Sequence, residues 1–250
     1  MTSAMIYRGD FFMGVLGSVL ELIAFLLFIE IVFGRFKSFA GVGRNEITLI
    51  YGVYILFETF FSSFVLKNLR LLAKIIHEGQ FDHYLAKPIS TLFLVSFERF
   101  DLFGLTRTLT GLIIAVYAFN NLSREMNLVI TPGSITLALA GVAVVVTSFY
   151  GFLLSLFSLS FWLGDIKHAY WIYDSMTGLG KMPVAAFQNA FKVIFVFVLP
   201  FAFWGAVPVA LLFNQVDGSY VLFGAIISVL WLIIGNLIWK QGIKNYSSSG

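Results

Sequence analysis

Apolar runs too long for any soluble core follow one another from Phe11 to Trp239, and one strongly charged, amphipathic stretch, Lys67–Pro88, interrupts them. A helix that crosses a bilayer takes about 20 mostly apolar residues, and several segments here meet that requirement. The solvent for this chain is therefore lipid. Composition agrees, with 59% of residues hydrophobic and 12% charged, against about 25% charged in a soluble domain. In a chain of 250 residues occupied mostly by spans, no room is left for a soluble catalytic domain. One membrane domain over residues 1–250 is expected. The net charge of +3 would suit nucleic acid, but the basic residues gather at span ends, where the positive-inside rule puts them. Membrane lipid, and no nucleic acid, is the expected partner.

The chain has no cysteine, so disulfides and thiolate metal sites are excluded. Phe11–Phe33 is too long for a signal-peptide core and lacks a small-residue cleavage site, so it is expected to stay as an anchor.

The pattern predicts an all-α membrane protein of about six spans: Phe11–Phe33, Ile47–Leu66, Gly104–Phe119, Ser134–Leu163, Phe191–Phe213 and Tyr220–Trp239. An even number puts both termini on one side. With that side cytoplasmic, Arg8, Lys67, Arg70, Lys74, Lys87, Arg99, Lys167, Lys181, Lys192, Lys240 and Lys244 lie inside, Arg107 just inside the start of its span, and Arg35, Lys37, Arg44 and Arg124 outside. The cell inner membrane is the expected location. The fifth span is interrupted by Pro200 and Pro208, and broken helices at membrane depth survive only inside protein or along a cavity. A re-entrant pair over Phe191–Phe213, with Asp165–Lys181 crossing instead, is the alternative. It is disfavoured because Asp165, Lys167, His168, Asp174 and Lys181 would all need shelter.

In Lys67–Pro88, Leu69, Leu72, Ala73 and Ile76 fall at helical spacing while Arg70, Lys74 and His77 turn elsewhere. This predicts an amphipathic extension of the second span, ended at Gly79. Phe81, Tyr84 and Leu85 then form an apolar set on a short helical turn. Such a segment is either a solvated interfacial helix or a docking surface for a cytosolic partner, since aromatic anchors in a polar rim concentrate interface energy.

Gly79-Gln80-Phe81-Asp82-His83-Tyr84-Leu85-Ala86-Lys87-Pro88 resembles the Gly-x-Phe-Asp-x-x-Leu-x-(Lys/Arg)-Pro signature of ATP-binding-cassette (ABC) type-2 permeases, closest to the viologen-exporter-like branch. Further similarities follow in order: Ser160-Phe161-Trp162, Met182-Pro183-Val184, Val198-Leu199-Pro200-Phe201, Val207-Pro208-Val209 and the closing Gly242–Gly250. The resemblance implies a permease half of an exporter that pairs with a second permease, the same or a related chain, and with separate ABC ATPase subunits. It implies a cytoplasmic coupling helix between spans two and three, within residues 67–100, seated in a groove of the ATPase. By position, Gly79, Phe81, Asp82, Leu85, Lys87 and Pro88 would make that contact. The resemblance places ATP and Mg on the partner subunits, with no cofactor on this chain.

The residues themselves agree on that last point. Gly178-Leu179-Gly180-Lys181 lacks the spacing and the following Ser or Thr of a phosphate loop. No nucleophile constellation is recognisable, so the chain is expected not to be an enzyme. His77 and His83 are six apart across Gly79, which is not helical ligand spacing, and no metal site is expected. Glu21, Glu30 and Glu58 lie within spans, where carboxylates are costly and mark function by default. Glu21 and Glu30 fall on opposite helix faces. Glu21 is either a pathway residue or one protonated or paired with a neighbouring helix or subunit; Glu58 is a second pathway candidate. The many phenylalanines allow an aromatic pathway for flat, cationic or apolar compounds. Two other classes stay open: a proton-coupled secondary transporter working through Glu21 or Glu58, and a membrane scaffold without transport.

Overall fold

In lipid a chain satisfies its backbone through helices or closed barrels, and this one is built from helices. The computed structural model describes residues 3–99, 104–126, 130–164, 167–194, 199 and 204–247. Among them the only β-pairing is a single bridge, Phe39 to Val42, in the link after the first helix.

Helix α1 (Ser3–Phe33) is followed by α2 (Arg44–Phe61), which runs through one π-helical turn (Ser62–Leu66) straight into α3 (Lys67–His77). Arg44–His77 thus forms one rod of 34 residues, about 51 Å long at helical rise. Gly79, at φ +68°, ends it in the left-handed conformation that glycine alone adopts without cost. The short helices α4 (Phe81–Leu85) and α5 (Thr91–Phe97) fold back on that end. Next comes α6 (Gly104–Met126), then α7 (Pro132–Ser158). Thr131 and Ser134 cap the start of α7 reciprocally, each backbone N–H donating to the other's hydroxyl at 3.1 Å, with Pro132 in the first turn. The chain continues through α8 (Ser160–Leu163), α9 (Lys167–Thr177), 3₁₀ turns at Gly178–Lys181 and Val184–Ala186, α10 (Asn189–Lys192), α11 (Ala206–Leu212) and α12 (Ser219–Asn245).

With lipid outside, helices associate through close packing of small residues rather than through exclusion of water. Here α6 lies along α2 and α12 along α7. A Cβ on Gly235 would stand 2.8 Å from the Gly151 carbonyl, and one on Gly52 would stand 2.7 Å from the Ala115 nitrogen. Between the two pairs sits Trp204, wholly buried, with ring centroids of Phe149 at 4.3 Å, Phe61 at 5.6 Å, Tyr54 at 5.8 Å and Tyr173 at 6.1 Å.

Among the described residues the helices long and apolar enough to cross a membrane lie over Phe12–Phe33, Arg44–His77, Pro132–Leu163 and Ser219–Asn245, 4 such helices in a multi-pass membrane protein. Helix α6, with 23 residues, is long enough, about 35 Å, but carries Arg107, Arg124 and Glu125. The Phe191–Phe213 segment is not one helix. Pro200 lies outside the described residues. Pro208 does not interrupt a helix: it sits in the first turn of seven-residue α11, where its missing N–H costs nothing. Among the described residues of Phe191–Phe213, α11 is a short, buried piece, about 10 Å of helix.

The segment before it follows α2. Tyr173 and Asp174 border a cavity with Glu58 and Ser62; Gly178 and Lys181 border another with Tyr51; Pro183 to Ala185 border a third with Val42 and Glu46. Residues 173–185 thus run antiparallel to α2, from its α3 end toward its start. Because the chain has no native cysteine, single cysteines can test this. Ala185→Cys should react with an impermeant maleimide from the same side as Lys37→Cys, and His83→Cys from the other. Reaction of Ala185→Cys together with His83→Cys would contradict the path.

Candidate functional site

Two parts of the molecule carry polar groups arranged beyond simple solvation: the folded loop at the α3 end, and an ion network between α1, α2 and α6.

The loop is a rigid body. Phe81 has 0% exposure and packs edge-on to Phe161 (5.4 Å), Trp239 (6.0 Å) and Tyr246 (5.0 Å). Expected among the contact residues, Phe81 instead holds α4 to α8 and to the end of α12. Asp82 lies beside Tyr246, whose phenol is raised by burial and then by that carboxylate. The Tyr84 hydroxyl donates to Glu98 Oε2 at 2.5 Å, and Lys87 reaches Glu98 Oε1 at 3.5 Å while lying 5.1 Å over the Tyr84 ring. Buried Asn68 of α3 closes the far side: its amide donates to the Arg99 carbonyl at 2.7 Å and accepts from the Arg99 N–H at 2.9 Å. Asp82, Leu85 (42%), Lys87, Pro88 and Ile89 (54%) are among the residues that remain exposed. Gly79 shapes the turn that presents them.

The ion network centres on Arg107. Its Nε and Nη2 donate to Glu21 Oε2 and Oε1 at 3.0 and 2.9 Å, and its Nη1 donates to Glu58 Oε2. The Tyr51 hydroxyl adds a bond to Glu21 Oε1 at 3.2 Å. Glu21, on α1, is thus paired with a neighbouring helix, and Glu58 shares the same guanidinium. Glu30 is elsewhere, paired with Arg44, as its opposite helix face requires. The fork of donors on arginine suits two carboxylates at once. In the sequence Arg107 is only a cation just inside the start of a span. A cation inside the bilayer near two buried acids was the signal that could have found it.

Cavities reach this network from both ends. One of 950 Å³ extends from His77 and Arg99 at the α3 end, past the π turn at Ser62, up to Glu58. Another of 360 Å³ begins at Glu21 and continues between α1 and α2 toward Phe33 and Phe39. The Glu58–Arg107–Glu21 bridge stands between them.

The loop's lash has a pH signature. The Tyr84 hydrogen bond, with Lys87 behind it, holds the Glu98 carboxyl below its ordinary 4.5. A depressed folded-state pKa contributes stability above the unfolded value and loses it as pH falls through the folded one. Tyr84→Phe should therefore lower the unfolding midpoint in detergent at about pH 7 and have little effect at a pH acidic enough to protonate Glu98 in both variants. An equal loss at both pH values would contradict the assignment.

No curated protein and no solved structure matches the chain. The family described as ABC-2 family transporter protein matches residues 19–250, which takes in α2 to α12, both cavities and the loop. The long membrane helices, the loop folded on the end of the α2–α3 rod and this match lead to one conclusion: the chain belongs to the ABC-2 transporter family.

Proposed function

We propose that the chain is the permease subunit of an ABC exporter, forming the substrate pathway and driven by separate ATPase subunits. The observation that carries this reading is the pair of cavities meeting the Arg107 bridge from opposite ends of α2. A pathway with one central barrier is what alternating access needs, since rocking of the spans then changes which side the site faces. The ion pairs also weigh against the proton-carrier alternative, because neither Glu21 nor Glu58 is without a charged partner.

The loop would be the coupling element. Residues 67–99 are tied to one another and to the end of a continuous rod, so a push on Leu85 is delivered to α2 without being absorbed by a flexible joint. In this reading Asp82, Leu85, Lys87 and Pro88 touch the ATPase, while Gly79 and Phe81 hold them in place. Both termini and this loop face the cytoplasm, in keeping with the surplus of lysine and arginine at that end. A second permease subunit, the same or a related chain, completes the pathway. It finds ample surface on α1, most of whose described apolar side chains are exposed. ATP and Mg belong to the ATPase subunits, and this chain binds no cofactor of its own.

The test separates touching from holding. Tagged chain recovered from native membranes in mild detergent should carry with it an ABC ATPase, recognisable by mass spectrometry through its phosphate-loop sequence. Leu85→Asp should reduce that capture about tenfold or more, as loss of an interface anchor does, with the unfolding midpoint unchanged. Phe81→Ala should lower the midpoint, since emptying a buried aromatic site costs about 3–5 kcal/mol. Intact chain that brings no nucleotide-binding protein would overturn the exporter reading.

A further inference from the structure

The 360 Å³ cavity is large enough for a drug-sized molecule. Its body is aromatic, walled by Phe25, Phe28, Phe33 and Phe39 and closed at one end by Tyr51. Phe25 stacks on Tyr51 at 3.6 Å with the rings 10° apart, so this wall is already formed. Phe28 and Phe39 stay 50% and 39% exposed, so the cavity opens on the flank of the molecule.

The polar end decides what charge it takes. Glu21 is engaged: its oxygens accept from Arg107 and from Tyr51. Lys181 is differently placed. Its Nζ lies 5.6 Å over the Tyr51 ring and 5.0 Å over the Tyr54 ring. Among the described residues no carboxylate or carbonyl takes a hydrogen bond from it. Ring faces position this ammonium and the Glu21 and Glu58 carboxylates feel its charge, but among the described residues none of its three donors has a hydrogen-bond acceptor. A cationic ligand would meet ring faces that Lys181 already covers, and would meet its charge as well. An acidic group would supply the missing acceptor, in a charge-assisted bond.

We propose that this cavity binds an aromatic molecule bearing one acidic group, the acid held by Lys181 and the rings seated among Phe28, Phe33 and Phe39. The bound molecule is a substrate only insofar as the permease reading holds. The binding itself needs no ATPase and is tested without one.

The purified full chain in nanodiscs is photolabelled with three benzophenones that differ in charge: 4-benzoylbenzoate, neutral benzophenone and 4-benzoylbenzyltrimethylammonium. Peptide mapping should place saturable label from the carboxylate probe within residues 24–33 and 178–183. That label should exceed the label from the other two by about tenfold, the worth of one charge-assisted hydrogen bond. Lys181→Gln should remove this preference and Lys181→Arg should keep it. Label from the ammonium or neutral probe equal to that from the carboxylate, label that does not saturate, or a preference unchanged in Lys181→Gln would overturn the proposal. The ranking of the three probes is read on the wild-type chain, so the proposal is decided even if a Lys181 variant fails to fold. Failure here leaves ATPase capture by the loop untouched, and failure of that capture leaves the binding result standing.

Discussion

One guanidinium joins α1 to α2 and α6, two helices that already pack along each other. Arg107 enters from α6, takes Glu21 of α1 through two hydrogen bonds and Glu58 of α2 through a third. Charges in a bilayer are costly unless paired, and removing one partner of a buried pair leaves the other uncompensated, typically at about 3–5 kcal/mol. The α2–α6 pair would survive that loss through its own close packing at Gly52 and Ala115. Helix α1 has no such reserve. Phe25 stacks on Tyr51, Ile29 packs with Val42 and Ile47, and Leu22 and Phe33 are partly covered, but most of the described apolar side chains of α1 are exposed. The polar network therefore decides where α1 sits, and α1 forms one wall of the 360 Å³ cavity.

In the proposed exporter the same residues would sit at the mechanical centre. Glu58 lies on the rod that ends in the loop, so displacement of the loop reaches the network through unbroken helix. The π turn at Ser62–Leu66 is the one irregular stretch on the way, and π turns in helices recur at functional positions. Asn68 anchors the loop immediately beyond it, bonding the Phe64 carbonyl on one side and Arg99 on the other. Membership in the ABC-2 family gives this lever its context; the residues that make it stiff are particular to this chain's packing.

Much of this was legible in the sequence where the signal is local. Leu69, Leu72 and Ala73 at helical spacing are buried in α3, and Gly79 ends the helix with the positive φ that its lack of a side chain permits. The nine-residue offset between Glu21 and Glu30 correctly separated them, since a helix turns them to opposite faces. What failed to show depends on contacts between distant parts of the chain. Phe81 has the look of a surface anchor on its own turn; only Phe161, Trp239 and Tyr246, arriving from the other end of the sequence, make it interior. Pro208 has the look of a helix breaker until the start of α11 is seen to fall at Ala206, two residues before it, which puts it in the first turn. Lys181 counted against a membrane crossing because lone charges need shelter, and the shelter comes from Tyr51 and Tyr54, which no local pattern ties to it.

That the Arg107 network fixes α1 against the rest of the bundle is the claim on which the pathway stands. It can be measured directly as a distance between spin labels at Leu20→Cys on α1 and Tyr117→Cys on α6, both exposed positions in a chain without native cysteine. Labelled chain diluted into unlabelled chain removes distances between subunits. The account predicts one narrow distance distribution with Arg107 intact and a broad or displaced one in Arg107→Met. An unchanged narrow distribution in Arg107→Met would show that α1 is held by something else.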